Sequence, residues 1–272
     1  MKNNIMKTLI VCAGKNEDFS FAKSIGVGLV EASAGLCELL FKFNVLGAGA
    51  KRRGEINGRK GVVGGYSGAK SVCGVAGKCG VTDGLISRQS IVSELSVANK
   101  VDKIIFIGTC GLYQKGDKKG LNALNLNENG KINENLGAKN LTRENQKPLK
   151  LLEIYESAHC FNVEASKLTN AFYSPAECEI NLNVLYETKK CNSSNYICTD
   201  ENVAAMFADL GLELENMESF AVLSLAKRFG ISATCFLCAT NFCDKNAHQS
   251  FLQNHAQAKK NLEHFLQEKN LI

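Results

Sequence analysis

The stretch KIIFIGTCG, residues 103–111, is an apolar run that ends in two closely spaced glycines. A run of this length bounded by glycine is typical of a buried β-strand. The segments KTLIVCAG (7–14) and ISATCFLCAT (231–240) have the same character. Apolar residues at helical spacing occur in the second part of 23–43, in 201–211, in 217–229 and in the C-terminal segment. This alternation predicts an α/β fold, a single domain with a mixed central sheet flanked by helices.

The composition indicates a globular protein of 272 residues, 45% of them hydrophobic, which is ample for a large core. No run reaches the ~18 to 20 apolar residues of a membrane span. The start MKNNIMKTLIVCAGKNEDF has too short an apolar run for a secretory signal. We therefore expect a cytoplasmic protein that has no membrane partner.

Two compositionally biased segments interrupt this pattern. Residues 44–88 are rich in glycine and lysine, and residues 118–150 are rich in asparagine and lysine. Both are predicted to be insertions in the single domain 1–272. The first contains GGYSGAKS (64–71), a near miss to a phosphate-binding loop, with Ala69 where a glycine is required and no helical pattern after it. Much of the +5 net charge comes from this segment, so nucleic acid is not expected as a partner.

The twelve cysteines are scattered through apolar segments, which indicates buried reduced thiols rather than a disulfide framework. The one C-x-x-C sequence joins Cys235 and Cys238 inside a predicted strand. Strand geometry would direct those two sulfurs to opposite faces. We therefore predict no metal site.

Four short segments carry chemistry, and their order is informative. They are IVCAGKNE (10–17), IGVGLVEASAGL (25–36), IIFIGTCGLY (104–113) and ENMESFAVLSLAKRFGI (215–231). In this order they resemble the nucleoside phosphorylase and nucleosidase superfamily, which includes purine nucleoside phosphorylases, uridine phosphorylases and methylthioadenosine/S-adenosylhomocysteine nucleosidases. The resemblance implies cleavage of the N-glycosidic bond of a purine nucleoside, a small-molecule substrate, and a homo-oligomer.

The resemblance also implies roles for particular residues. The pair Met217 and Glu218 matches the ribose-binding pair, whose carboxylate accepts hydrogen bonds from the sugar hydroxyls. Asn241 falls where many relatives have a catalytic aspartate. An amide cannot deliver a proton, so general acid catalysis would be lost unless Asp244 supplies the proton. The substitution favours a 6-oxopurine base. Tyr196 resembles the aromatic residue that stacks on the base, and the alternative is that it is an exposed loop tyrosine without a ligand. The alternative for Glu218 is that it favours a helix N-terminus and faces solvent.

The acceptor of the ribosyl group is phosphate or water. Gly108, Thr109 and Gly111 at a strand end offer backbone donors to an anion or a sugar, and Gly14 and Lys15 could add to such a site. Phosphate would then be a co-substrate, and no other cofactor is expected.

Two departures from the phosphorylase pattern favour water. The Gly-Asp-Pro-x-Arg segment is missing, and Phe106 stands where one branch has a phosphate-binding arginine. CAGKNE instead resembles the nucleosidases, whose water-activating glutamate falls on Glu17. A methylthioadenosine/S-adenosylhomocysteine nucleosidase-type hydrolase is therefore one alternative. A catalytically decayed nucleoside-binding or interaction protein is another.

Overall fold

The structure, a computed structural model, describes residues 7–48, 101–115, 148–169, 172–183 and 185–272, without the side chains of 44–48. The chain divides into two compact units, Met1–Phe41 with Val101–Ile272, and Lys42–Lys100. Of the second unit, the described part is residues 42–48, which are helical. Residues 49–88 of the predicted Gly-rich insertion and 118–147 of the Asn-rich one lie outside the described residues.

Within the described ranges, nine strands form one mixed sheet. They are β1 (Thr8–Cys12), β2 (Lys23–Ser24), β3 (Lys103–Leu112), β4 (Ile154–Ser157), β5 (His159–Phe161), β6 (Glu179–Asn181), β7 (Lys190–Asn192), β8 (Leu214–Glu215) and β9 (Ser232–Phe242). The helices are α1 (Leu29–Ala48), α2 (Ala165–Leu168), α3 (Glu201–Asp209), α4 (Ser219–Phe229) and α5 (Ala247–Glu268). The predicted α/β architecture with a mixed sheet flanked by helices is confirmed.

Strand β3 organises the sheet because three strands pair with it. β1 and β9 run parallel to it, and β8 pairs antiparallel with its last residues. The order is β2-β1-β3-β8-β7-β5-β6, while β9 joins β3 to β4. The carboxyl ends of β1, β3 and β9 therefore meet at one edge of the sheet, the usual place for a ligand site in parallel sheets.

The two faces of β3 are covered by different helices. Ile104 and Phe106 belong to a buried cluster that includes residues of α1 and α4, whereas Ile105 and Ile107 pack with residues of α5. Because side chains alternate along a strand, an apolar run like 103–107 fits a strand buried on both faces. None of the described helices has the length and apolar character needed to span a lipid bilayer.

The C-x-x-C sequence in β9 follows the same rule. Cys235 lies in the cluster with α1 and α4, and Cys238 lies in the cluster with α5, so the sulfurs point to opposite faces as predicted. The ten described cysteines are free thiols.

Helix α1 approaches the backbone ahead of it very closely. Gly26 and Gly28 form the turn before the helix with φ of 103° and 85°, which glycine adopts without strain. About two helical turns after Gly28, a Cβ atom at Gly35 would lie 2.1 Å from the Ile25 carbonyl oxygen. The missing side chain at Gly35 is therefore what allows the helix to pack against the start of this turn.

Gly35→Ala should destabilise the protein by about 1 to 3 kcal/mol, the usual cost of overpacking. Alanine has the higher helix propensity, so the sign of the change distinguishes packing from propensity. Urea unfolding followed by circular dichroism measures the free energy. Ala34→Gly, at an exposed neighbouring position of α1, serves as the propensity control. A more stable Gly35→Ala protein would contradict the close approach.

Candidate active site

A cavity of ≈ 270 Å³ opens where the carboxyl ends of β1, β3 and β9 meet the start of α4. Most of the residues predicted from sequence line it: Gly14, Lys15, Glu17, Thr109, Gly111, Met217, Glu218 and Asn241. Residues from four segments far apart in sequence are thus brought to one pocket.

Three predicted residues lie outside this lining. Gly108 lies directly beneath Glu17, since a Cβ atom there would be 2.9 Å from Glu17 Oε2. Tyr196 is 78% exposed, and its neighbour Ile197 lines the cavity instead. Asp244 accepts a hydrogen bond from the Asn246 N–H at 2.7 Å in the turn before α5. In this arrangement neither Tyr196 nor Asp244 reaches the pocket wall.

The Glu218 carboxylate is buried at the start of α4. The residue is 3% exposed, and Oε1 accepts a 2.8 Å hydrogen bond from the Gly28 N–H. The sequence placed Glu218 in the first turn of the helix, but the helix begins at Ser219 and Glu218 is its N-cap residue. Its side chain therefore points across to the turn before α1 rather than along its own helix.

Asn216 fixes Glu218 relative to β3. Its Oδ1 accepts from the backbone N–H groups of Glu218 and Ser219, both at 2.9 Å, and from the Ser219 hydroxyl. Its Nδ2 donates to the Thr109 carbonyl at 3.0 Å. One amide thus caps α4 and ties the cap to the central strand.

Thr109 also binds Glu17, through its N–H and hydroxyl groups rather than through the carbonyl that binds Asn216. Glu17 Oε1 accepts from the Thr109 backbone N–H at 3.0 Å and forms a short hydrogen bond with the Thr109 hydroxyl. The tight turn before it has Gly14 and Lys15 at φ of 90° and 56°, and the Glu17 N–H closes the turn on the Gly14 carbonyl. The Lys15 residue itself is exposed.

The carboxyl groups of Glu218 and Glu17 are both desolvated, which disfavours their charged forms. Burial raises the pKa of Glu218 to about 7, and the nearby Glu17 carboxylate adds to that rise. Burial also raises the pKa of Glu17, and this rise is opposed by the hydrogen bonds from Thr109 and by electrostatic interaction with His255 and Lys259. Two carboxyl groups close together in a desolvated site are typical of a functional site.

Asn241 enters the pocket through an irregularity in β9. The register with β3 shifts so that Cys110 pairs with Ala239 and Gly111 pairs with Asn241, which leaves Thr240 as the extra residue of a β-bulge. The Thr240 hydroxyl donates to Asn241 Oδ1 at 3.0 Å, and Asn241 Nδ2 donates to the Phe242 carbonyl at 3.1 Å. These bonds hold the amide while one Nδ2 hydrogen has no recorded partner among the described residues.

Sequence reasoning did not single out several residues of the pocket. They are Asn216, Ile197, His248, Phe251 and Glu215. Glu215 is 7% exposed, and its carboxylate accepts from the Tyr113 hydroxyl at 2.9 Å and from the Cys198 N–H at 3.0 Å. Burial raises the pKa of Glu215, and these hydrogen bonds oppose the rise. In the sequence, the alternation of Glu213 and Glu215 with apolar residues is typical of a strand with one face in solvent, whereas the structure buries all of 212–215.

Comparison with known proteins identifies a family match for the C-terminal part of the chain. Residues 162–268 match the sequence model of a family described as the phosphorylase superfamily. No curated protein matches the chain in sequence. Together with the fold, the family match confirms the predicted resemblance to the nucleoside phosphorylase and nucleosidase superfamily.

Solved structures share the fold at low sequence identity. A futalosine hydrolase mutant from Helicobacter pylori is 11% identical with a TM-score of 0.52, covering 97% of each chain. A Streptococcus pyogenes S-adenosylhomocysteine nucleosidase in complex with 5-methylthiotubericidin is 10% identical with a TM-score of 0.52, covering 96% of this chain and 94% of that one. A mutant H. pylori 5′-methylthioadenosine/S-adenosylhomocysteine nucleosidase (MTAN) with 5′-methylthioadenosine in its active site is 13% identical with a TM-score of 0.50, covering 97% of this chain and 99% of that one. At these identities the likeness establishes the fold.

The raised pKa of Glu218 gives a testable pH dependence. Because its pKa is about 7 in the folded protein and near 4.5 when unfolded, the native state binds the proton more tightly. Stability should therefore fall as pH rises from about 4.5 to about 7. In Glu218→Gln this loss should shrink by roughly 2 to 3 kcal/mol, since the amide still accepts from Gly28 but does not ionise.

Urea unfolding at pH 5, 6, 7 and 8 measures this difference. Glu263→Gln, at an exposed position of α5, is the matched control and should retain the wild-type slope. Identical slopes for wild type and Glu218→Gln would contradict the buried, destabilised carboxylate.

Proposed function

We propose that the protein is an N-glycosidase that hydrolyses a purine nucleoside, with Glu17 activating the attacking water. The C1′–N9 bond breaks as water oxygen bonds to C1′, and Glu17 takes the proton that the water loses. The base leaves as an anion that accepts a hydrogen bond from Asn241 Nδ2, and it then acquires a proton from solvent. The observation that carries this proposal is the bonding of the Glu17 carboxylate to Thr109 within the same pocket as Glu218 and Asn241.

Water is favoured over phosphate because the donors that an anion would use are already engaged. The Thr109 N–H and hydroxyl bond to Glu17, and the Gly28 N–H bonds to Glu218. A phosphate dianion at this edge would face two carboxyl groups, and the described lining of the pocket contains one lysine or arginine, the exposed Lys15. Within the described ranges the one arginine, Arg228, is exposed in the last turn of α4, roughly 15 Å from that helix's start.

Glu218 has the environment expected for the sugar-binding carboxylate. Its Oε1 is anchored to Gly28, and in the proposed complex Oε2 accepts hydrogen bonds from the ribose hydroxyls. An anion fixed beside the sugar also stabilises the positive charge that develops at the anomeric carbon. Met217, on the pocket wall next to it, provides an apolar surface for the ribose.

The opposite end of the pocket suits the base. Asn241 can donate one Nδ2 hydrogen to the purine N7 or to a 6-oxo group, but an amide cannot supply a proton. A leaving group that departs readily as an anion is therefore preferred, and this favours a 6-oxopurine nucleoside. A methylthioadenosine/S-adenosylhomocysteine-type substrate is the second candidate, supported by the fold shared with structures of that class.

The acceptor is tested by incubating the protein with inosine, adenosine and 5′-methylthioadenosine, with and without phosphate. We expect base release that does not depend on phosphate. Glu17→Gln should slow that release by about 10²- to 10⁴-fold, the usual contribution of a general base, while nucleoside binding is retained. Chromatography of the released base measures the rate, and Glu263→Gln is the matched control.

Other outcomes would identify the alternatives. Release only in the presence of phosphate would establish a phosphorylase, and Lys15→Ala should then weaken the dependence on phosphate concentration. Binding of a nucleoside without release of its base would establish a catalytically decayed binding protein.

Glu218→Ala should lower turnover by several orders of magnitude in either enzyme class, because the variant loses both the ribose anchor and the charge beside the anomeric carbon. Glu218→Gln should also be impaired while keeping the hydrogen bond to Gly28, which separates loss of charge from loss of shape. Single-turnover kinetics isolates the chemical step. Near-normal activity of Glu218→Ala would refute the ribose assignment.

A further inference from the structure

The β-bulge at Thr240 receives a hydrogen bond from outside the sheet. Thr240 is 1% exposed, and in the register of the described strands it pairs with neither β3 nor β4. A bulge leaves its extra residue unpaired, and a buried carbonyl without a donor is costly. The donor here is Asn254 of α5, whose Nδ2 lies 2.8 Å from the Thr240 carbonyl oxygen. Asn254 thus supplies the hydrogen bond that strand pairing does not provide at this residue.

Further hydrogen bonds lead from the bulge to the pocket. The Thr240 hydroxyl donates to Asn241 Oδ1 at 3.0 Å, and Asn241 Nδ2 donates to the Phe242 carbonyl at 3.1 Å. Because a carbonyl can only accept, the Phe242 contact requires the nitrogen end of the amide on its side. The orientation of Asn241 therefore depends on the hydroxyl and the backbone of the bulge.

Asn254 lies outside the pocket lining. On α5, Ala247, His248 and Phe251 line the cavity, and Asn254 follows Phe251 by about one helical turn. The Asn254 side chain is half-buried against the bulge. An effect of Asn254 on a bound nucleoside would therefore pass through the bulge rather than through direct contact.

We propose that Asn254 is a positioning residue for Asn241. By bonding the Thr240 carbonyl it holds the bulge, and the bulge holds the amide in the orientation that donates to the base. The inference rests on the proposed function, in which Asn241 donates to the departing base. Stabilisation of developing charge needs the donor at hydrogen-bond distance and in the right direction, so a displaced amide would slow bond cleavage.

Two substitutions of Asn254 test the role of its donor. Asn254→Ala removes the hydrogen bond to Thr240, and Asn254→Asp keeps the shape of the side chain without the N–H donor. At pH 8 both should lower kcat for inosine by about 10- to 100-fold, the order expected when a catalytic group is misplaced by about 1 Å. Chromatography of the released base measures the rate at equal concentrations of folded protein. Wild-type turnover in Asn254→Asp would overturn the proposal, since the donor would then be dispensable.

Asn261→Ala is the matched control. Asn261 lies about two turns further along α5, and its Nδ2 donates to the Leu152 carbonyl at 3.0 Å in the turn before β4. The variant loses the same kind of half-buried hydrogen bond but keeps the one to Thr240. Its turnover should stay near the wild-type value. An equal loss of turnover in Asn254→Ala and Asn261→Ala would indicate general destabilisation and overturn the positioning role.

A double-mutant cycle separates a positioning role from a purely structural one. If Asn254 acts through Asn241, adding Asn254→Ala to Asn241→Ala should cause no further loss of turnover. Losses that multiply in the double variant would show that the two residues act independently, and would overturn the proposal.

Crystal structures of the variants test Asn254 independently of catalysis. In Asn254→Ala we expect a shifted Thr240 bulge and a reoriented Asn241 amide, whereas Asn261→Ala should keep both as in the wild type. If the wild type cleaves no nucleoside, the proposed hydrolysis fails while this comparison still decides the role of Asn254. An unchanged Asn241 in Asn254→Ala would overturn that role.

Discussion

The hydrogen bond from the Gly28 N–H to the Glu218 carboxylate organises the pocket. It joins residues 190 positions apart in sequence, the turn before α1 and the cap of α4. Gly35 allows α1 to pack closely behind that turn, and Asn216 holds the cap against β3. The position of the carboxylate thus depends on a helix packing contact and on an amide cap.

Three desolvated carboxyl groups line the pocket, which is electrostatically unfavourable. The carboxyl groups of Glu17, Glu215 and Glu218 are desolvated together, and burial raises the pKa of each. Each group is held by protein N–H or hydroxyl donors, which limits the cost without removing it. A fold selected for stability alone would avoid this arrangement. Its presence at the carboxyl edge of the sheet is a physical argument for function that is independent of any resemblance.

The sequence predicted the strands because an apolar run that ends in glycine is a local signal of a buried strand. The importance of Glu218 was predicted from the resemblance of segment 215–231 to a known superfamily, and the structure adds that the residue is buried. The bulge at Thr240 gave no comparable signal, since a bulge depends on the pairing of β9 with β3. Glu215 was missed for the same reason, because its position across the sheet from Gly111 and Asn241 follows from strand pairing and not from the local sequence. Tyr196 was predicted from the family resemblance, whereas in the structure its neighbour Ile197 lines the cavity.

In the proposed reaction, the side chain that contacts the base limits what the side chains that contact the sugar must do. A neutral amide at Asn241 cannot protonate the departing base, so bond cleavage must be assisted mainly from the sugar side. There the charges of Glu218 and Glu17 favour a cationic anomeric carbon, and Glu17 can accept a proton from water. A phosphate dianion would compete with those same charges for the few donors at Thr109 and Gly28. In the proposed reaction, the amide that contacts the base and the carboxylates that contact the sugar therefore act together, and water displaces a base that is able to leave as an anion.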